Sequence, residues 1–142
     1  MSTKFYELQV KTTQKVEFVD LTKKVEEKIK DSKIKNGLAV VYSPHATACV
    51  KIMEKEAGIL KDYPIFFNKL APVGAGYMHD STAPDKKPNT PSHLIAALMN
   101  QSETMIINEG KLVYGMWNTL FFVELDGGRD RKVFIQIMGD LK

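Results

Sequence analysis

Polar and apolar residues alternate over the first part of the chain, which is the period of a strand with one buried face. Tyr6, Leu8 and Val10 are separated by polar neighbours, so residues 4–12 are predicted to form the first strand. Val16 and Phe18 continue the same alternation. The chain is therefore expected to begin with extended structure.

Apolar residues then recur every four positions from Leu21 to Ile29, which predicts a helix that ends near Ser32. Asp20 or Thr22 can cap its N-terminus, since both side chains accept hydrogen bonds from free backbone N–H groups. Its outer face mixes lysine and glutamate, a pattern typical of solvated surface.

The middle of the chain combines two strands with a helix. Residues 38–42 are a continuous apolar run of the length of a buried strand, and alternation returns over residues 48–53. We expect these two strands to be neighbours in one sheet. Apolar spacing over residues 56–70 predicts a helix, in which Pro64 marks a break or a new first turn.

Residues 72–91 contain four prolines and are predicted to be largely loop. A loop of this length within a compact domain is uncommon, and it is often functional. Thr90 and Pro91 then supply a cap and a first-turn proline for another helix. Leu94, Ala97 and Leu98 are predicted to be its buried residues.

From Thr104 onward the pattern is that of strands joined by short turns, for which we expect antiparallel hairpins. The predicted strands are residues 105–107, 112–114, 119–125 and 133–138. The sequence thus predicts an α+β fold with a mainly antiparallel sheet and two to three helices. Residues 1–142 are expected to form a single domain, because no repeat or shift in composition divides them.

Composition excludes several classes of protein. The chain is 44% hydrophobic and 26% charged, as in ordinary globular domains, and no apolar run is long enough to span a membrane. A single cysteine and an N-terminus without a secretory pattern lead us to expect a soluble, cytoplasmic protein. The formal charge of +3 is too small to indicate binding to nucleic acid.

The chain has only three histidines, and all lie in polar segments. His45 follows a proline between two predicted strands, His79 lies in the long loop and His93 opens a helix. Imidazole exchanges protons and binds metals near neutral pH. Each histidine alone is better explained as a solvated or hydrogen-bonded loop residue, and their spacing matches no local metal motif.

Both arginines stand two positions apart, at Arg129 and Arg131, whereas the other eighteen basic residues are lysine. Alternate residues on a strand project from one face, so two guanidinium groups would point together toward a phosphate or carboxylate. The alternative is an ion pair with Asp126, Asp130 or a glutamate. Trp117 can stack on a flat ligand or fill the core, and Cys49 is expected to be buried.

Several segments follow one another in order between about residues 38 and 139: Ser43 to Cys49, Glu54, Tyr77 to Asp80, Asn89, His93, Gly110 to Asn118 and Gly127 to Arg131. Taken together, they resemble the YjbQ-like family of secondary thiamine-phosphate synthase-like proteins. The sequence departs from the family pattern at Ala46, Met116, Asn118 and Gly128. The changes at Ala46 and Asn118 alter which substrate can fit.

The resemblance implies a cytoplasmic homotrimer of α+β subunits that acts on a small phosphorylated substrate. It also implies a divalent metal, zinc or magnesium, held by His45, His79 and His93. The catalytic residues carried over are Asp80, Glu54, Arg129 and Arg131, and the substrate-binding residues are Asn89, Trp117, Asn118, Arg129 and Arg131.

The leading hypothesis is therefore a transferase that joins an aminopyrimidine methyl diphosphate to a thiazole phosphate. The metal and the arginines would stabilise the departing diphosphate. The alternatives are a metal-dependent hydrolase and a non-catalytic trimeric protein that binds a metal or a small anion. Partners such as nucleic acids and membranes are not expected.

Overall fold

Within residues 1–141, which the computed structural model describes, eight strands divide between two antiparallel sheets and four helices accompany them. The strands are β1 Ser2–Lys11, β2 Glu17–Asp20, β3 Asn36–Tyr42, β4 Ala48–Glu54, β5 Ser102–Asn108, β6 Lys111–Val113, β7 Asn118–Glu124 and β8 Asp130–Asp140. The helices are α1 Thr22–Ser32, α2 Ala57–Leu70, α3 Met78–Thr82 and α4 Thr90–Leu98. The predicted α+β class and single domain are confirmed. None of these helices is long and apolar enough to cross a bilayer.

The larger sheet has the strand order β1-β8-β3-β5-β6 and faces the smaller sheet, whose order is β2-β7-β4. Alternate residues of β8, including Ile135 and Ile137, are fully buried between the sheets, where they join Val50 of β4 and Phe122 of β7 in one core. Helix α1 closes one side of this core with Val25 and its neighbours. The alternation seen in the sequence therefore separates a buried face from an outer face.

Helices α2 and α4 cover the other face of the smaller sheet. Phe121 and Val123 of β7 pack there with Ile95 of α4, and Phe67 of α2 packs against the same cluster. The fold is thus layered, with the larger sheet, the smaller sheet and the two helices in succession. Because β7 is covered on both sides, its residues form a continuous buried run rather than an alternating one.

Local capping explains where the helices begin. Glu56 precedes α2, and its carboxylate accepts hydrogen bonds from the backbone N–H groups of Gly58 and Ile59. At the start of α1, Asp20 accepts from the N–H of Thr22, so of the two predicted caps the aspartate side chain is the one that bonds the backbone. Pro64 lies within α2 and does not end it.

Two predictions of strand pairing are wrong. Strands β3 and β4 lie in different sheets, because the turn between them carries the chain from one sheet to the other. Ser43 holds this turn, since its hydroxyl donates to the carbonyl of Ala48. Strands β7 and β8 are likewise in different sheets and form no hairpin. The turn between them is anchored elsewhere, with the N–H of Gly127 donating to the carbonyl of Lys15.

Two further corrections concern the second half of the chain. The predicted loop contains the short helix α3, so residues 72–91 are less irregular than expected. In α4 the predicted buried face is wrong, because Leu94, Ala97 and Leu98 are exposed while Ile95 and Ala96 are buried. The small Ser92 and Ala96 allow α4 to approach the smaller sheet closely, and the leucines point away from it.

The outer face of the larger sheet is apolar and exposed. Five of its large side chains are 40–61% exposed, and Phe134 stacks among them at 5.5 Å from the ring of Phe5. These exposed side chains are Phe5, Leu38, Tyr42, Ile106 and Val113. The pairing register places Leu38, Ile106 and Val113 in one row across the sheet. Residues 38–42 therefore form a strand with only one face buried.

Candidate functional site

Most of the predicted site residues lie at one end of the layered fold, where β7 ends and β8 begins. The turn that contains His45 and Thr47 reaches this end, because the carbonyl of Thr47 accepts from the N–H of Leu125. The start of α4 reaches it as well, since the hydroxyl of Ser92 donates to the carbonyl of Leu125 at 2.6 Å. Three remote segments therefore meet around residues 124–131.

A buried ion pair holds this turn together. Arg131 donates through Nε and Nη2 to the carboxylate of Glu124 at 2.8 and 2.7 Å, and neither side chain is more than 7% exposed. Thr12 and the N–H groups of Leu125 and Asp126 donate to the same carboxylate. Burial raises the pKa of Glu124, but these hydrogen bonds and the guanidinium outweigh it and lower the pKa overall. The pair is therefore charged and fully hydrogen-bonded.

Asp126 connects three polar side chains at the surface of this end. Its carboxylate accepts from Asn89 Nδ2 at 2.9 Å, from Arg129 Nη2 at 2.6 Å and from Lys15 Nζ at 3.1 Å. Burial raises the pKa of Asp126, while these three partners lower it below its ordinary value. Arg129 and Lys15 remain partly exposed, so two cations that solvent can reach share one carboxylate.

Asn89 carries a polar atom without a partner. The residue is 6% exposed, and its Oδ1 atom has no hydrogen-bond partner among residues 1–141. A buried acceptor left unpaired costs roughly 1–3 kcal/mol. Its amide nitrogen is held by Asp126, so the oxygen is fixed in place as a buried acceptor without a donor in the described part of the chain.

His79 and His93 face each other beside this cluster. Their ring centroids are 4.7 Å apart and the rings are nearly perpendicular. Burial and the neighbouring His79 lower the pKa of His93, so its imidazole is neutral at neutral pH and can accept a proton or a metal. The predicted proximity of these two histidines is therefore found within one chain.

Asp80 connects α3 to α4. Its carboxylate accepts from both the hydroxyl and the backbone N–H of Thr90, the latter at 3.1 Å. These two bonds lower the pKa of Asp80. These bonds therefore join α3, which carries His79, to the start of α4, which carries His93.

His45 lies beside the buried ion pair and contacts the start of β8. Its Nε2 atom accepts from the backbone N–H of Lys132 at 3.0 Å, and its ring contacts Phe122 edge-on. Burial and the charge of Arg131 lower its pKa. With one ring nitrogen occupied in this way, His45 offers only its other nitrogen to a ligand.

Glu54, Trp117 and Asn118 lie at the other end of the smaller sheet. Glu54 pairs with Asn118 in the register of β4 and β7, whereas Ala48 pairs with Glu124 at the site end. Six residues of strand separate the two ends, which corresponds to about 20 Å. Trp117 is 69% exposed, so it does not fill the core. These three residues do not contact the histidine pair of the same chain.

The metal-binding set is not assembled within one chain. No group of three or more histidine, cysteine, aspartate or glutamate side chains placed to hold a metal occurs among residues 1–141. His79 and His93 supply two imidazoles, but His45 belongs to a separate cluster. A three-histidine metal centre therefore does not fit a single subunit.

The arginines form ion pairs with different carboxylates. Arg131 is buried against Glu124, and a further hydrogen bond from its Nη2 reaches Thr47. Arg129 donates to the carboxylate and the carbonyl of Asp126 and remains partly exposed. The ion-pair alternative describes both, and only Arg129 retains a surface that a phosphate can approach.

Comparison with known proteins decides the family. The sequence profile described as UPF0047 protein YjbQ-like matches residues 6–140. The chain belongs to this family. A UPF0047 protein of Archaeoglobus fulgidus is 38% identical, and the alignment covers 93% of this chain and 99% of the relative. The UPF0047 protein YugU of Bacillus subtilis is 32% identical, with 93% and 97% covered.

Solved structures of the YjbQ-like family share the whole fold. A YjbQ-like protein of unknown function from Sulfolobus solfataricus superimposes with a TM-score of 0.92 at 31% identity, and 98% of this chain and 99% of that one are covered. A family protein of Clostridium acetobutylicum gives a TM-score of 0.86 at 35% identity, with 94% and 99% covered. The predicted membership of the YjbQ-like family is confirmed, and the match extends to the N-terminal strand.

Sequence reasoning missed three residues that build this end. Glu124 and Thr12 lie in strand patterns and give no sign of a buried polar network, because the hydrogen bond between them spans 112 positions of the chain. Lys15 resembles any surface lysine. The sequence did offer one indication. Glu124 and Asp126 stand two positions apart, just before the glycine turn and close in sequence to both arginines.

Proposed function

We propose that this YjbQ-like protein is a transferase that joins an aminopyrimidine methyl diphosphate to a thiazole phosphate. The observation that carries the proposal is the buried, unpaired Oδ1 of Asn89, set beside two partly exposed cations and a neutral histidine. An unsatisfied acceptor that is held in place offers a donor-bearing ring a partner. The adjacent positive charge suits a phosphorylated substrate.

The chemistry requires stabilisation of a leaving group above all. The thiazole nitrogen forms a bond to the methylene carbon, and the bond from that carbon to the diphosphate oxygen breaks. The diphosphate departs with the electron pair, so negative charge increases on its oxygens. Preorganised cations at that position lower the barrier.

Arg129 and Lys15 are the residues that supply this charge in the proposal. Both are bound to Asp126 at rest and both remain partly exposed, so a diphosphate can share their N–H groups with the carboxylate. Guanidinium groups bind phosphate oxygens in a bidentate manner. Arg131 acts indirectly, because its bond to Glu124 holds the turn from which Asp126 and Arg129 project.

A divalent metal, zinc or magnesium, stays part of the proposal. Imidazole is a common ligand of zinc, whereas magnesium prefers oxygen ligands, so the His79–His93 pair favours zinc. One chain supplies two such ligands, and a further ligand would have to come from the substrate or a neighbouring subunit. No step of the proposed reaction depends on the metal.

We also propose that the protein acts as a homotrimer. The exposed apolar face of the larger sheet supports association of subunits, since patches of this kind commonly mark interfaces. A neighbouring subunit is also a route by which Glu54, Trp117 and Asn118 can approach a histidine pair that they do not reach within their own chain. A cytoplasmic location and the absence of nucleic-acid or membrane partners complete this proposal.

The test is formation of thiamine phosphate by the purified protein from the two substrates, with zinc or magnesium added, followed as fluorescent thiochrome. His79→Ala and Asn89→Leu should each lower kcat/KM at least 100-fold. Lys86→Ala, an exposed residue outside the site, is the matched control and should retain full activity. Native protein with no more product than the His79→Ala variant would contradict the proposal.

The same panel separates the alternatives. Hydrolysis of the diphosphate without joining would favour a metal-dependent hydrolase, and stoichiometric binding of metal or diphosphate without product would favour a non-catalytic protein. Trp117→Ala tests whether the end of the smaller sheet that carries Trp117 contributes to activity. A large loss of activity in this variant, which keeps both His79 and His93, would indicate that a second subunit completes the site.

A further inference from the structure

An apolar cleft lies next to the Asp126 cluster, between α2, α4 and the residues that precede β2. Its volume is about 160 Å³. Its walls include Val16, Phe67, Ala71 and Ile95, and Lys15 stands at its rim. None of these residues was predicted to belong to a site.

The size of the cleft limits what it can hold. An apolar cavity of about 150 Å³ accommodates a benzene molecule. A space of 160 Å³ walled by Phe67 and aliphatic side chains therefore matches a single six-membered ring rather than a fused ring system. Ligand pockets are typically apolar with a few polar groups at defined positions, and this cleft has that character.

The charges at the rim argue for a ring without a charge of its own. The ammonium of Lys15 is balanced by Asp126 Oδ1 at 3.1 Å. The hydroxyl of Ser92, which also lines the cleft, already donates to the carbonyl of Leu125. A charged ring would lose its hydration here without gaining a free partner of opposite charge.

The unpaired acceptor lies close to this rim. Asp126 binds Lys15 through Oδ1 and Asn89 through Oδ2, so the amide of Asn89 is one carboxylate away from the rim lysine. Its Oδ1 atom has no hydrogen-bond partner among residues 1–141. Asn89 is not among the residues that line the cleft, so this oxygen belongs to the polar cluster beside the ring and not to the apolar walls.

We infer that this cleft binds one uncharged aromatic ring, and that the charged part of the same molecule extends past Lys15 toward the Asp126 cluster. That this ring is part of the substrate rests on the proposed function, whereas binding of a ring in the cleft is argued from the cleft itself. Affinity for the isolated ring is expected to be low, with a Kd on the order of 1 mM, because so few atoms make contact.

The experiment uses 4-fluoroaniline as the probe and follows its ¹⁹F signal during titration of the full-length protein. Asn68→Trp places a large side chain at the wall of the cleft, and Lys69→Trp places the same side chain on the next exposed position, outside the cleft. The Kd should rise at least 10-fold in Asn68→Trp and stay within 2-fold of native in Lys69→Trp. Val73→Trp, in the chain that follows α2, provides a second blocked variant should Asn68→Trp fail to fold.

4-Fluorotoluene, which has the same ring without an N–H group, should also bind, because the walls of the cleft are apolar. Absence of any ¹⁹F change up to 10 mM probe, or equal binding by Asn68→Trp and Lys69→Trp, would overturn the inference. Ring binding without thiamine phosphate formation would leave the cleft assignment standing and remove only the proposed reaction. Product formation without ring binding would leave the proposed reaction standing and remove the cleft assignment.

Discussion

Replacing Arg131 by methionine tests the framework on which the site is built. Methionine fills a similar volume but removes both charged hydrogen bonds to Glu124, whose side chain is fully buried. An uncompensated buried charge costs about 3–5 kcal/mol. Domains are typically stable by roughly 5–15 kcal/mol, so this loss is a large part of the total.

The expected change is measurable by thermal unfolding. For a chain of this size each kcal/mol corresponds to roughly 2–4 °C in Tm, so Arg131→Met should lower Tm by about 6–20 °C. The double variant Glu124→Gln with Arg131→Met removes both charges and keeps an acceptor for the N–H groups of Leu125 and Asp126. It should recover at least half of the loss, since pairs of neutral residues often replace buried ion pairs at little cost.

The pH dependence has a defined sign. The pKa of Glu124 is lowered in the folded protein, so its contribution to stability is present above the ordinary carboxyl pKa and is lost as pH falls through the folded value. The free-energy difference between native protein and the double variant should therefore shrink from pH 7 toward pH 3. The reasoning would be refuted if Arg131→Met were as stable as native protein, or if the double variant were no more stable than Arg131→Met.

Three other predictions concern single groups. The ring of His93 should titrate in NMR at a lower pH than an exposed histidine, because burial and His79 disfavour its charged form, and this shift should diminish in His79→Ala. Asp80→Asn should increase amide hydrogen exchange at Thr90 and its neighbours, since the carboxylate that caps α4 is weakened; unchanged exchange would contradict that capping role. Cys49 should react with a thiol reagent only upon unfolding, because burial raises its pKa to about 11; rapid reaction of the folded protein would show that the thiol is accessible.

Local patterns predicted the elements well because their causes are local. Alternation identified β1, and four-residue spacing identified α1. Strand pairing failed because pairing depends on where each turn directs the chain. The turn held by Ser43 and the turn at Gly127 both lead into the opposite sheet, and their anchors, Ala48 and Lys15, carry no sequence pattern that reports it.

The candidate site was predicted in part. Chemistry-bearing residue types in polar segments pointed to His79, His93 and Asn89, which the fold brings to one end. The family resemblance grouped Trp117 with them, although strand register places it about 20 Å away. Register is set by long-range pairing, so a family motif can name residues without showing that they meet in one chain.

The most direct test of the proposed site is to map where inorganic diphosphate binds, by chemical-shift changes in isotope-labelled protein. The predicted result is a set of changes centred on the side-chain amide of Asn89, the Nε–H of Arg129 and the rings of His79 and His93. Changes confined to the end that carries Trp117, or no change at millimolar diphosphate, would contradict the account.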